Sequence, residues 1–348
     1  MKPALFILLL VVTVLYTAGI APSPRPTQKH TLSEYGFFEG PLSALDPAPG
    51  VVPYDLNTPL FSNYAEKLRF VKLPTGTQAR YKDSSVFEFP VGTILIKNFF
   101  YYNDFRRPEK GRKIMETRLL VHEAAGWNAL PYIWNEEQTE AYYDPAGENI
   151  AVKYTNTAGR KVQTSYLVPN KNQCKGCHLS NQTLLPIGPV ARQLNREYPY
   201  PTGTENQLKH WQGLGILTNL PERELIPRTP VWDQPSTGTT EERARAYLDV
   251  NCGHCHSDSG PASTSGLFLD VFERDRTRLG INKSPVAAGR GAGNLSYDIV
   301  PGQPRNSILV FRMKTNDPAI AMPEIGREQI HEEGVDLIEA WIRTMSDR

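Results

Sequence analysis

The sequence predicts a multi-domain α+β protein. A mostly antiparallel β domain over residues 35–166 leads into a helical and loop segment over 167–217, a proline-rich linker over 218–238 and an all-α domain over 239–348. Three observations predict it. Between Tyr35 and Tyr166, short apolar runs near period two are split by Gly, Pro, Asn and Asp clusters, as strands are split by turns. "GPVARQLNREY" and "TENQLKHWQGLGIL" then read as short helices joined by a Pro/Gly turn. The last segment has helical periodicity at both ends.

The β domain rests on "KLRFVKLPTG", "TILIKNFFYY", "METRLLV" and "ENIAVKY", with Phe99, Phe100, Trp127, Tyr132 and Trp134 as its expected core. "TNLPERELIPRTPVWDQPSTG" carries four prolines and no period, which marks the linker. In the final segment Thr239 and Glu242 have capping-box spacing, and Ala244, Tyr247 and Leu248 share one helical face. Val335, Ile338, Trp341, Ile342 and Met345 form the stripe of a closing helix. The stretch from about 257 to 305 is rich in Gly, Ser and Pro and reads as irregular.

A chain of 348 residues is long enough for two domains. With 38 basic and 37 acidic residues the net charge is +1, so no global field points to nucleic acid or to an anionic membrane. At the N-terminus Lys2 precedes an apolar run from Ala4 to Tyr16, and small residues follow at Ala18, Gly19 and Ala21. This order predicts a signal peptide over 1–21, a tether over 22–34 and a protein exported from the cytoplasm. The alternative is an uncleaved anchor, the one membrane contact the sequence suggests.

All four cysteines fall in two C-x-x-C pairs, in "NQCKGCH" (172–178) and "NCGHCH" (251–256). Pairs so close staple almost nothing as disulfides. A histidine directly after each pair fits covalent haem attachment, with two thioethers holding the porphyrin and the histidine ligating iron from the same side. The cofactors expected are two haem c groups, on Cys174, Cys177 and His178 and on Cys252, Cys255 and His256. A four-thiolate zinc site has no need of either histidine, and a thioredoxin-like site wants one C-x-x-C beside a βαβ unit. His254, between the second pair, is expected to face outward as a bystander.

For the second haem, Met322 in "MKTNDPAIAMPEIGREQ" is the expected distal iron ligand, ahead of Met313. For the first haem the sixth ligand stays open, with Met115, His122 and His210 as candidates and a vacant position as an alternative.

The last third resembles class I cytochrome c domains, with a leading helix, "CGHCH", an "MP" loop and a closing helix bearing Trp341. The stretches "YDLNTPLFSNYAEKLRFVKLP", "FEFPVGTILIKNF", "ETRLL", "QLN" with "NQLKHW", "YLDVNCGHCH" and "MPEIG" together resemble an exported diheme c-type cytochrome family of Gram-negative bacteria. The resemblance implies a periplasmic protein with two covalent haems, Met322 on the second, and an all-α cytochrome c-like domain at the C-terminus. It supplies no substrate.

No GxSxG, HExxH or phosphate loop in the right context is present, so electron transfer with redox protein partners is the leading expectation, a carrier rather than a catalyst. The alternative is a haem enzyme, peroxidase-like or another oxidoreductase, with an open first haem. A third reading has the β domain binding a protein partner or polysaccharide to which the haems deliver electrons.

Overall fold

Alternating side chains organise the first half of the molecule. The computed structural model describes residues 28–346, so the expected signal peptide over 1–21 and the first part of the tether lie outside the described residues. Six strands, β1 (Val51–Tyr54), β2 (Glu66–Lys72), β3 (Ile94–Tyr102), β4 (Arg112–Glu123), β5 (Gly126–Trp134) and β6 (Ala141–Tyr143), form one antiparallel meander in chain order. One face of this sheet buries Phe70, Ile96, Leu119 and Leu130 against the N-terminal segment at Leu32 and Phe37. A two-stranded antiparallel ribbon, β7 (Glu148–Thr155) and β8 (Lys161–Val168), covers one end of the other face, where Tyr154 and Tyr166 pack on Phe99 and Met115. Of the aromatics expected in the core, Phe99, Phe100, Tyr132 and Trp134 are buried, and Trp127 is half-buried.

Helices α1 (Lys171–His178), α2 (Ala191–Leu194) and α3 (Gln207–Gly213) follow the ribbon. Leu194, Leu208 and Trp211 fill the opposite end of that second sheet face together with Val71 and Leu95. Residues 218–238 are irregular but docked, since Ile226 joins this core and Thr58 Oγ1 donates to the Pro230 carbonyl (2.7 Å).

The expectation of an all-α C-terminal domain is not met. The molecule is mostly β, built on the six-stranded sheet, with six short helices among the described residues. Only α4 (Thr240–Leu248), α5 (Ile308–Met313) and α6 (Glu332–Thr344) fall in the last part, and turns, 3-10 segments and isolated β-bridges occupy the rest. The physical reason lies in residues 257–305, where Gly, Ser and Pro deny the chain both helical propensity and an apolar stripe. The terminal helices themselves form where periodicity places them. Thr239 Oγ1 accepts from Glu242 N–H (3.2 Å) while Glu242 Oε2 accepts from Thr239 N–H (2.8 Å), completing the capping box. Leu248, Val335, Ile338 and Trp341 meet in one core with Ile281 and Ile299. Gly334 is required there, because a Cβ would lie 2.4 Å from the Tyr247 hydroxyl.

The two halves are clasped together. The loop after β1 reaches across, with Phe61 N–H donating to Asn251 Oδ1 (2.8 Å) and Asn63 Oδ1 accepting from Glu328 N–H (2.7 Å). A buried ion pair joins Arg192 to Asp249 at 2.8 Å. Among the described residues no helix is long and apolar enough to cross a membrane.

Candidate functional site

The two cysteine motifs are built by different local devices. Asn170 caps α1 through a reciprocal pair with Gln173, each bond 2.9 Å, so Cys174, Cys177 and His178 occupy its last two turns. A tight hairpin follows whose turn residues Asn181 and Gln182 have φ of 45° and 62°, suited to the twist of its strands. It returns the Leu185 carbonyl to His178, whose Nδ1–H donates to it at 2.8 Å. In the second motif α4 runs into a single π-turn over Asp249–Gly253, a feature that recurs at functional sites. There the His256 Nδ1–H donates to the Leu267 carbonyl at 3.2 Å. Gly260 allows the loop to close on the motif, since a Cβ would sit 2.2 Å from the Cys255 carbonyl.

The motifs abut. The Cys255 thiol donates to the Gly176 carbonyl (3.5 Å), Asn181 N–H donates to the Ser259 carbonyl (2.9 Å), and the Ser180 hydroxyl donates to that of Ser259 (3.0 Å). Beside this junction lies a chamber with about 1720 Å³ of atom-free space, counting the part open to solvent. Cys174, Cys177, His178, Cys252, Met313 and Met322 all line it, whereas Cys255 and His256 stand outside its wall. Met313 is also buried in the C-terminal core, and Met322 is half-buried.

Strand register supplies a component that the sequence analysis missed. Arg69 on β2 pairs with Lys97 on β3, and Lys97 with Arg118 on β4, so three cations form a row across the sheet face that borders the chamber. Arg69 is paired with Asp55 at 2.8 Å and Arg118 with Glu116 at 2.5 Å. Lys97 has no carboxylate partner among the described residues, and its ammonium lies 5.0 Å from the centre of the Phe99 ring. Burial, then the charges of Arg69 and Arg118, push its pKa well below the ordinary lysine value. Like charges directly opposite one another destabilise a sheet, so such a row calls for an anion.

The three sequence candidates for a sixth ligand on the first haem are engaged elsewhere. Met115 is buried among the ribbon aromatics, His122 stacks on Trp127 (4.6 Å) and donates to the Phe89 carbonyl (2.9 Å), and His210 stacks on Tyr200 (3.5 Å) beside Glu205. His254, expected to face outward, instead lines the chamber.

The donor set separates the chemical possibilities. All four cysteines are free thiols. Burial pushes Cys252 and Cys255 up to about 12, the opposite of the depressed pKa of a reactive dithiol. No three His, Cys, Asp or Glu side chains converge as a metal site among the described residues, which counts against a four-thiolate zinc clasp. Burial holds His178 down to about 3, so its ring is neutral at ordinary pH. A neutral imidazole with Nδ1–H on a carbonyl is the usual orientation of an iron-ligating histidine, and both motifs have it. The residues of the first motif therefore fit a covalent haem, with the cation row suited to its carboxylates. In the second motif the histidine is oriented in the same way, and Cys252 and Met322 reach the chamber. No family model, curated protein or solved structure matches the chain.

Proposed function

We propose that the protein is an exported diheme c-type cytochrome that relays electrons between redox partners through two covalently attached haems. The observation that carries this reading is the matched anchoring of His178 and His256 by the Leu185 and Leu267 carbonyls, each directly after a free C-x-x-C pair. When bound, haem iron supplies one-electron redox chemistry. The rest falls to the chain. Cys174 and Cys177, and Cys252 and Cys255, would hold the two macrocycles by thioethers. Carbonyl-bound Nδ1–H groups fix the tautomer and raise the basicity of Nε2, the nitrogen offered to iron. Arg69, Lys97 and Arg118 would balance porphyrin carboxylates on the β-domain side, and Met322 would offer its thioether to the second site. Direct contact between the motifs keeps the two sites close, which suits a relay. The sequence resemblance to exported diheme cytochromes points the same way, with the periplasm as the compartment.

The test is to mature the full chain in a periplasm equipped for haem attachment, then measure denatured mass and the reduced visible spectrum with and without carbon monoxide. Two haems retained after denaturation, neither binding carbon monoxide, is the expected result. A chain that keeps no haem overturns the reading. One haem that takes up carbon monoxide favours the enzyme alternative.

A further inference from the structure

Side chains lying between the cysteines of a C-x-x-C-H motif project away from the haem those cysteines hold. In this fold His254 borders residues of the first motif. His254 lines the chamber with Cys174, Cys177 and His178, and with Cys177 and His178 it also borders the adjoining crevice. Its Nδ1 is buried without a hydrogen-bond partner, whereas Nδ1 of His178 and of His256 are each taken by a carbonyl. The backbone of Val250 lies close to His254, yet it offers Nδ1 no bond of acceptable geometry. A buried polar nitrogen left without a partner is costly, and in a native fold it asks for the group that is missing. Met115, His122 and His210 are all held away from the chamber.

We propose that His254, through its unpartnered Nδ1 rather than the Nε2 that His178 and His256 offer, is the sixth iron ligand of the first haem, donated by the second motif to the site formed by Cys174, Cys177 and His178. The inference rests on the diheme reading above. It makes the first site a bis-histidine haem and the second a histidine–methionine haem. Only Cys255 then separates the ligands of two different irons in the chain, so "GHCH" is both an attachment motif and a bridge. Docking of the two halves becomes part of the coordination of the first haem, and the clasp at Asn251 and Glu328 acquires a second purpose.

The experiment uses the haem-loaded full chain. Near-infrared magnetic circular dichroism of the oxidised protein should show one bis-histidine and one histidine–methionine signature. His254→Ala should retain two covalent haems by mass while one of them turns high-spin and binds carbon monoxide, against none in the unaltered chain. Added imidazole should return that haem to low spin. Met322→Ala should change the other haem only. The proposal is overturned if His254→Ala with two haems leaves both spin states unchanged, or if the unaltered chain lacks a bis-histidine signature. That second measurement decides the matter even if the variant fails to mature. Failure of any haem to attach to the unaltered chain would sink the diheme reading itself, whereas two attached haems without the bis-histidine signature sink only this assignment.

Discussion

Met322 reaches the chamber wall from the loop before α6 and offers a soft thioether there. A thioether opposite histidine raises the potential of a haem, so Met322→Ala should keep both haems and lower one potential by a sizeable part of the roughly 0.8 V that axial ligation spans. Potentiometry with optical detection measures this, and two unshifted potentials would remove Met322 from the ligand set. His331 governs a different response. It stacks on Phe61 at 4.1 Å, bonds the Tyr247 hydroxyl at 3.0 Å and is 8% exposed. Burial pulls its pKa from 6.5 down to about 4, with Glu333 opposing the shift. Between those values the unfolded chain takes up a proton that the folded chain refuses. Stability is therefore lost as pH falls from about 6.5 toward about 4, by on the order of 3 kcal/mol at the low end. The slope of melting temperature against pH should flatten in His331→Gln, and an unchanged slope would mean that His331 protonates in the folded state. Single residues were unevenly legible. The C-x-x-C-H spacing and the Met-Pro pair stand in the local sequence, whereas the placement of His254 against the chamber depends on which surface it meets, and only the docked halves decide that.

Among the elements, the cation row has the clearest consequence. Arg69, Lys97 and Arg118 belong to three strands far apart in sequence, and register alone lines them up. Lys97→Met should stabilise the haem-free chain by about 1 kcal/mol, because it deletes a buried ammonium with no carboxylate among the described residues. In the loaded protein the same change should lower the potential of one haem, since a nearby positive charge favours the reduced, more negative state. Calorimetry of the haem-free form and potentiometry of the loaded form test the two halves of this prediction. A less stable haem-free variant would show that Lys97 is a packing residue rather than a charge awaiting its partner. Strands of alternating pattern such as "TILIKNFFYY" were readable because burial on one face imposes period two. The basic positions on those strands were not readable as a site, since pairing across a sheet leaves no mark in any single strand.

At the scale of the molecule, the helices at the two ends of the last segment formed where their stripes placed them, but they did not make an all-α domain. Two end signals say little about the roughly fifty residues between them when Gly, Ser and Pro fill that stretch. Residues 218–238, read as a linker, are irregular as their prolines require, yet they pack on the β half through Ile226 and Pro230. Loss of secondary structure was legible; docking was not. The contact of the first motif with the loop before α6, where Gly176 faces Ile325 so closely that a Cβ would lie 2.7 Å from its Cδ1, has a consequence for biogenesis on the proposed reading. On the diheme reading proposed above, thioethers would form on sulfurs of which Cys174, Cys177 and Cys252 line a wall contributed by both halves, with Cys174 buried outright. Loading would then have to come before closure, while the halves are still apart and a bulky macrocycle can reach both pairs. A chain that closed first would shut out the proposed cofactors, so the order of attachment and folding would be set by the same seam that joins the two motifs.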